Sequence, residues 1–424
     1  MDILLLIIGI ISISLKKLHI AFICMFALLS NYFLLGSNIS EIPLTHNVSD
    51  VGYVLLLILL VHGAKKKHKW KYPVRVHALC WLVYALVAFI IIKCTIEFLS
   101  GVSIINILKV YRSWLMYAFI PPLIAYYDIN VLKKTINTMF YVVFYATIIR
   151  SVDYYLGTGI FSEDVLMYGD VERWPFPSEF ALFYLLLTMS GYFSFSEKKK
   201  LIISIILIAL YILSLTRSSF VAICVGLAIV LYKTGQLKLS KRNIGLITGL
   251  GIAFVVLVGT NDAFRQRFTE GIEDVQSTSS TYKPQGNMQF RLMLLAERTA
   301  YVMSTPYKTL TGLQALPEEA FPTVFYIGLP DKERNRTIQV DTGDIAWALI
   351  VMRLGFVGGL IFCMLWFKSS RLLSHLNSRL SISGYAFLIS WILLSFCAVS
   401  IISVSFWIFM FIIVKLSYSE KLIK

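Results

Sequence analysis

The chain has 424 residues, 58% of them hydrophobic and only 15% charged, with a mean hydropathy of +0.75. Those values exclude an ordinary soluble globular domain and indicate a helical membrane protein. The formal charge of +15 would suggest nucleic acid in a soluble protein, but here it follows the loops between apolar runs, so no nucleic-acid partner is expected.

A helical span takes about 20 mainly apolar residues. Such runs are centred near residues 9, 28, 57, 88, 118, 146, 187, 207, 225, 252, 355, 390 and 408. The first, Ile3 to Ser14, is short for a span, and because no small-residue cleavage site follows, it is expected as a short or tilted span. The expected fold is an all-α, polytopic transmembrane helical bundle of about 12–13 spans. One large outer-face loop containing short helices interrupts it. Residues 1–260 hold transmembrane helices 1–10, residues 261–343 the large loop, and residues 344–424 the C-terminal transmembrane helices.

Basic clusters fall after alternate runs. They are Lys16 and Lys17; Lys65, Lys66, Lys67, Lys69, Lys71 and Arg75; Lys133 and Lys134; Lys198, Lys199 and Lys200; Lys233, Lys238, Lys241 and Arg242; Lys368, Arg371 and Arg379; and Lys415, Lys421 and Lys424. The loops 37–50, 157–177 and 261–343 are poorer in Lys and Arg or near balance. By the positive-inside rule the clusters are cytoplasmic and those three loops external. Six cysteines without paired spacing lie in or near apolar runs and read as packing residues. Neither a P-loop nor a dinucleotide fingerprint nor a metal-ligand motif is present, so no cofactor and no metal are expected.

Charged residues within apolar runs need partners. Arg150 has Asp153 within helical reach, Lys93 has Glu97, and Arg112 must face the interior or an interface. Further on, Arg173-Trp174-Pro175-Phe176-Pro177-Ser178-Glu179 enters a run from outside. The prolines make an extended lead, Glu179 suits the helix start, and Arg173 beside Trp174 suits either an interfacial belt or a carbohydrate or phosphate contact. Ser214-Leu215-Thr216-Arg217-Ser218-Ser219 sits between two runs at the outer face, where Arg217 either snorkels or binds an anion.

From Gln289 to Thr305 the outer loop is amphipathic at helical period, with Arg291 and Arg298 seven residues apart on one face. That face either rests on the bilayer or offers guanidinium forks to a diphosphate. Asp341 and Asp344 precede the run that follows, as a cap with its first turn or as a carboxylate poised at the membrane surface.

Three of these elements resemble the O-antigen polymerase and O-antigen ligase superfamily of bacterial envelope glycosyltransferases. Leu215-Thr216-Arg217-Ser218-Ser219 is similar to the family's Ser/Thr-Arg-small segment after a span. Phe290-Arg291, followed by Ala300, Pro306 and Thr311-Gly312, is similar to its Arg, Pro and Gly pattern in the large loop, and Asp344 precedes Gly355-Phe356-Val357-Gly358 where ligases commonly carry His-X-His-Asn. This chain reads Thr342-Gly343-Asp344-Ile345 there, which favours a polymerase.

The resemblance implies inverting, metal-independent transfer between glycans carried on undecaprenyl diphosphate, at the periplasmic face of the bacterial inner membrane. Arg217, Arg291 and Asp344 are then the expected catalytic residues, and Arg298, Arg173, Asp341 and Glu179 the expected substrate-binding ones. Membrane lipid, a chain-length regulator and a flippase are the implied partners. A ligase that moves the polymer to an acceptor is the alternative within the family. A transporter without chemistry is the alternative outside it, and would place charged pairs such as Lys93 with Glu97 at mid-membrane depth.

Overall fold

The computed structural model describes residues 1–35, 48–65, 73–161, 166–168, 171–173, 177–214, 216–235, 287–316, 325–327, 329–331, 336–338 and 345–423. Among these residues it has fifteen α-helices. They are α1 (Asp2–Ser14), α2 (Leu18–Leu29), α3 (Val48–Ala64), α4 (Val74–Leu99), α5 (Ile104–Leu115), α6 (Ile120–Tyr126), α7 (Ile129–Leu156), α8 (Glu179–Met189), α9 (Glu197–Leu213), α10 (Arg217–Lys233), α11 (Asn287–Val302), α12 (Pro306–Thr311), α13 (Ala346–Leu376), α14 (Arg379–Leu394) and α15 (Val404–Ile423). Local chemistry sets many of the ends. Ser196 accepts from the Lys199 N–H, Ser378 and Ser381 form a reciprocal capping box, and Gly157 closes α7 in the left-handed region.

Three helices, α4, α7 and α13, are long and apolar enough to cross a membrane, and they mark a membrane protein. Their outward side chains are apolar: Trp81, Ile92 and Leu99 on α4, Tyr145 and Val152 on α7, Leu360 and Phe367 on α13. Most of the remaining apolar helices are shorter. α1 has 13 residues and α2 has 12; at about 1.5 Å per residue each reaches about 20 Å, short of a hydrocarbon core about 30 Å thick. The run expected near residue 118 is divided into α5, a 3₁₀ turn from Met116 to Phe119, and α6 with prolines in its first turn. The run expected near residue 252 lies outside the described residues.

The structure adds two features to the all-α expectation. β1 (Leu166–Tyr168) pairs antiparallel with β2 (Val171–Arg173), and β3 (Leu329–Asp331) with β4 (Arg336–Ile338). Strands of three residues hold too little alternation to register in the sequence.

The core surrounds α15, whose residues Phe406 to Val414 are all within 1% of full burial. A helix apolar on every side belongs at a bundle centre. The ring of Phe409 meets Phe26 of α2, Phe180 and Phe183 of α8, and Phe387 of α14 at steep angles, the arrangement that aromatic quadrupoles favour.

The two ends of the bundle differ in chemistry. At one end lie basic side chains: Lys233 donates to the Ser374 carbonyl, Arg379 to the Gly191 carbonyl, and Lys415 to the Ile124 and Tyr127 carbonyls. At the other end start α8, α10 and α13. α10 runs antiparallel to α14, since Ser390 donates to the Ala222 carbonyl while Lys233 lies over the Tyr385 ring. The Ala346 N–H of α13 donates to the Ser395 carbonyl just past α14, so α10 and α13 begin at the same end.

At Gly355, nine residues into α13, the helix breaks, with φ 61° and ψ −164°. The break receives Gly312, which follows α12 with φ 77°. The two backbones touch: a Cβ on Gly355 would lie 2.5 Å from the Gly312 nitrogen, and one on Gly312 would lie 2.7 Å from the Met352 oxygen. Only glycine provides both the dihedrals and the room. Gly355→Ala should therefore lower stability by about 2–6 kcal/mol, summing strain and overpacking. Gly359→Ala, whose added carbon meets nothing nearer than Ile350 Cγ2 at 3.7 Å, should leave the thermal midpoint in detergent close to wild type.

Candidate functional site

The segment that follows α12 is held by a buried polar cluster from three helices, α4, α5 and α13. Lys93 and Glu97 of α4 are each 1% exposed and lie 3.5 Å apart. The Lys93 ammonium donates to the carbonyls of Thr311, Leu313 (2.8 Å) and Arg353 (2.7 Å). Glu97 accepts the Ala315 N–H at 2.8 Å, and the Tyr111 hydroxyl of α5 reaches the carbonyls of Leu313 and Arg353. Arg353, also 1% exposed, donates to the Gln314 carbonyl at 3.3 Å. Carbonyls released by the broken helix thus find cations and hydroxyls instead of water, as buried backbone requires. Lys93 and Glu97 stood out in the sequence as a charge pair; Tyr111 and Arg353 did not, because nothing local shows that a loop more than 200 residues away arrives between them.

A second clamp organises the rest of the large loop. Arg298, expected as a substrate contact, is 1% exposed. It pairs with Glu297 at 2.7 Å, donates to the Ile327 carbonyl at 2.7 Å and stacks 3.9 Å from the centre of the Phe325 ring. Glu297 in turn accepts the N–H groups of Tyr326 and Ile327 at 2.8 and 3.1 Å. This geometry makes Arg298 a positioning residue that ties 325–327 to α11. Arg291, two turns earlier on the same helix, is only partly buried. Around it Phe290, Met293 and Leu295 pack against a cluster of Leu294, Ile327, Ile345 and Ala348, which seats α11 on the start of α13.

Arg217 is the first residue of α10 and so lies at the end where α13 begins. Its approach is fixed by hydroxyls: Ser214 donates to the Tyr211 carbonyl at 2.7 Å and sits 3.2 Å from the Thr216 hydroxyl. Tyr211 donates across to the Ser178 carbonyl at 3.0 Å, linking the end of α9 to the start of α8. Glu179, the first residue of α8, is partly buried. Tyr211 had no signal in the sequence, as its partner Ser178 belongs to a different connection. Arg173 ends β2, its backbone paired with Leu166. Asp341 and Asp344 lie outside the described residues.

The other charged pairs are accounted for as structure. Arg112 meets Asp50 of α3 at 3.0 Å. Asp153 accepts the N–H groups of Ile160 and Phe161 and the Thr158 hydroxyl, closing the turn after α7. All six cysteines are free thiols.

No protein-family model matches the chain, and no curated protein is significantly similar to it.

Two outcomes follow from the clamps. Lys93→Met alone leaves a buried carboxylate and open carbonyls and should destabilise by about 3–5 kcal/mol, while Lys93→Met with Glu97→Gln should cost less than the sum of the two singles in a thermal unfolding cycle. Glu297→Ala frees two backbone amides; with charge-assisted bonds contributing about 1.5–3 kcal/mol each, hydrogen exchange at Tyr326 and Ile327 should quicken at least about tenfold while α15 stays protected.

Proposed function

We propose that this chain is a glycan polymerase that lengthens an O-antigen or capsular polysaccharide by whole repeat units carried on undecaprenyl diphosphate. In this reading the chain is a multi-pass bundle of about 12–13 spans in the bacterial inner membrane, with its active end periplasmic. The observation that carries it is the chemical division of the bundle. The helix starts at Glu179, Arg217 and Ala346, the last just past Asp344, share one end, with α11 and Arg291 seated on the third of them, while Lys233, Arg379 and Lys415 lie away from it.

The chemistry asks for that division. As the glycosidic bond breaks, negative charge grows on the departing diphosphate, and preorganised cations and helix N-termini aimed at it stabilise the transition state. Arg217 and Arg291 have that role, with Arg173 as a further contact. The acceptor hydroxyl attacks the anomeric carbon from the opposite face and loses its proton to a carboxylate; Asp344 is the candidate that the family resemblance supplies. Polyprenyl tails would lie along the apolar flanks, which leaves only the reacting heads at the polar end.

A transporter is the weaker reading. The buried pair Lys93 and Glu97 that it would use as a pathway is occupied by backbone partners.

The test is glycan chain length in a deletion strain complemented with wild type, Arg217→Ala or Arg291→Ala at equal membrane abundance. Loss of one such donor costs about 10²–10³-fold in rate, so each variant should leave single repeat units on their acceptor and no long chains. Full-length polymer accumulating on the lipid carrier would make the chain a ligase, and wild-type ladders in both variants would overturn the catalytic reading.

A further inference from the structure

In a straight helix Trp347 and Trp366 of α13 would stand about 28 Å apart, and Ile350 and Gly359 about 13 Å. Instead the two indole rings meet edge to face with centroids 4.9 Å apart, and Ile350 Cγ2 lies 3.7 Å from where a Gly359 Cβ would be. The break at Gly355 therefore folds α13 into a hairpin, its first leg, 346–354, lying back along its second, 356–376. The second leg, about 30 Å long, can cross a membrane by itself, whereas the first, about 13 Å, cannot.

The tip of this hairpin lies short of the ends of its neighbours. Lys93 of α4 donates to the Arg353 carbonyl beside the tip, and α4 runs on to Leu99, about 9 Å further. α5 returns from there: Tyr111 reaches the same carbonyl, and Trp114 and Tyr117 then meet Phe362 on the second leg. Beyond the tip these two helices are apolar on the outside, with Ile96, Phe98, Leu99, Ile104 and Ile105 between 41% and 79% exposed. The apolar surface thus continues past the tip, and the whole first leg lies within the slab it defines. No side chain of 346–354 is exposed.

α11 covers the first leg and runs beside it in the same direction, since Leu294 packs with Ile345 and Ala348 while Val302 shares a cluster with Met352. Its polarity is inside out for a helix in water. Arg298 is buried and Arg291, Glu297 and Thr299 are partly buried, whereas Leu292, Ala296 and Ala300 are exposed. Spaced four residues apart, those three form one stripe. The second leg of α13 shows the same kind of stripe in Phe356, Leu360, Met364 and Phe367. Charges turned to the protein and alkyl groups turned out are what a hydrocarbon surrounding requires.

We infer that α11 and the first leg of α13 form a re-entrant pair inside the loop-side half of the bilayer, and that the stripe Leu292, Ala296 and Ala300 is a lipid-contact surface covered by the acyl chains of the membrane. The helix that the sequence placed in an aqueous outer loop is then part of the membrane domain. Arg291, next to the stripe but turned from it, is held below the membrane surface. The re-entrant pair stands on helix geometry and surface polarity, whichever reaction the bundle performs.

The experiment places the full-length chain in phosphatidylcholine nanodiscs and follows the reaction of Leu292→Cys, Ala296→Cys and Ala300→Cys with a charged, water-soluble maleimide, above the background of the native thiols. Hydrocarbon keeps a thiol protonated and excludes the reagent. Each variant should therefore react at least about tenfold more slowly than Glu197→Cys, whose position is 62% exposed at the basic end. A face covered by protein would also react slowly, so Ala296→Trp is read in the same discs: the emission it adds to wild type should be quenched by lipids brominated near the middle of their acyl chains. Slow labelling with quenching supports the lipid contact. Labelling as fast as at Glu197→Cys puts the stripe in water and overturns it. Slow labelling with emission that brominated lipid leaves unchanged means that protein covers the stripe, a second copy of the chain or another segment of it, and overturns it as well. A variant whose thermal midpoint shows it unfolded is set aside, and the remaining positions of the stripe decide.

Discussion

The large loop and the membrane-spanning helices are joined through one ammonium group. Lys93 sits where α13 breaks, and its donors reach carbonyls on both sides of the gap: Thr311 and Leu313 from the loop, Arg353 from the helix. An unpaired lysine at this burial would cost several kcal/mol, and so would the free carbonyls of a broken helix. Put together, each satisfies the other, with Glu97 balancing the charge and holding the Ala315 amide. The pair of glycines allows the backbones to meet, but the ammonium gives them a reason to stay. Further along the loop, residues 325–327 are tied to α11 instead.

The loop's second attachment follows the same rule in a more open setting. Arg298 and Glu297, neighbours in sequence, reach to the same three residues, one with donors and the other with acceptors. Because a guanidinium presents several donors in a fixed plane, it can take a carboxylate, a carbonyl and an aromatic face together. The result is a rigid seat for α11 on the start of α13. Arg291, on the same helix but less buried, is thereby carried to the end of the bundle where α8 and α10 begin. In the loop the stiffness of these seats comes from polar groups bonded to backbone rather than from apolar packing alone.

The rest of the bundle is organised by the opposite chemistry. α15 has no polar face in its first ten residues, and the rings of α2, α8 and α14 close on it. Its position sets that of the 3₁₀ turn Ser400–Ile402 before it, where the Trp407 indole donates to the Ile401 carbonyl.

The sequence by itself determined the helical membrane class and the apolar runs that became α4, α7 and α13, because hydropathy is a property of local stretches. It also marked Gly312 and Gly355 through their motif, though not that they touch. Three matters were decided only in three dimensions. The run near residue 118 divides at Met116–Phe119, since prolines act with the neighbours that fill the gap. Arg298 turned inward while Arg291 remained partly open, because an amphipathic period gives a shared face but not what packs against it. The carbonyls that take the Lys93 ammonium come from segments more than 200 residues distant, and no local pattern can name a contact whose other half is set by the packing of the whole chain.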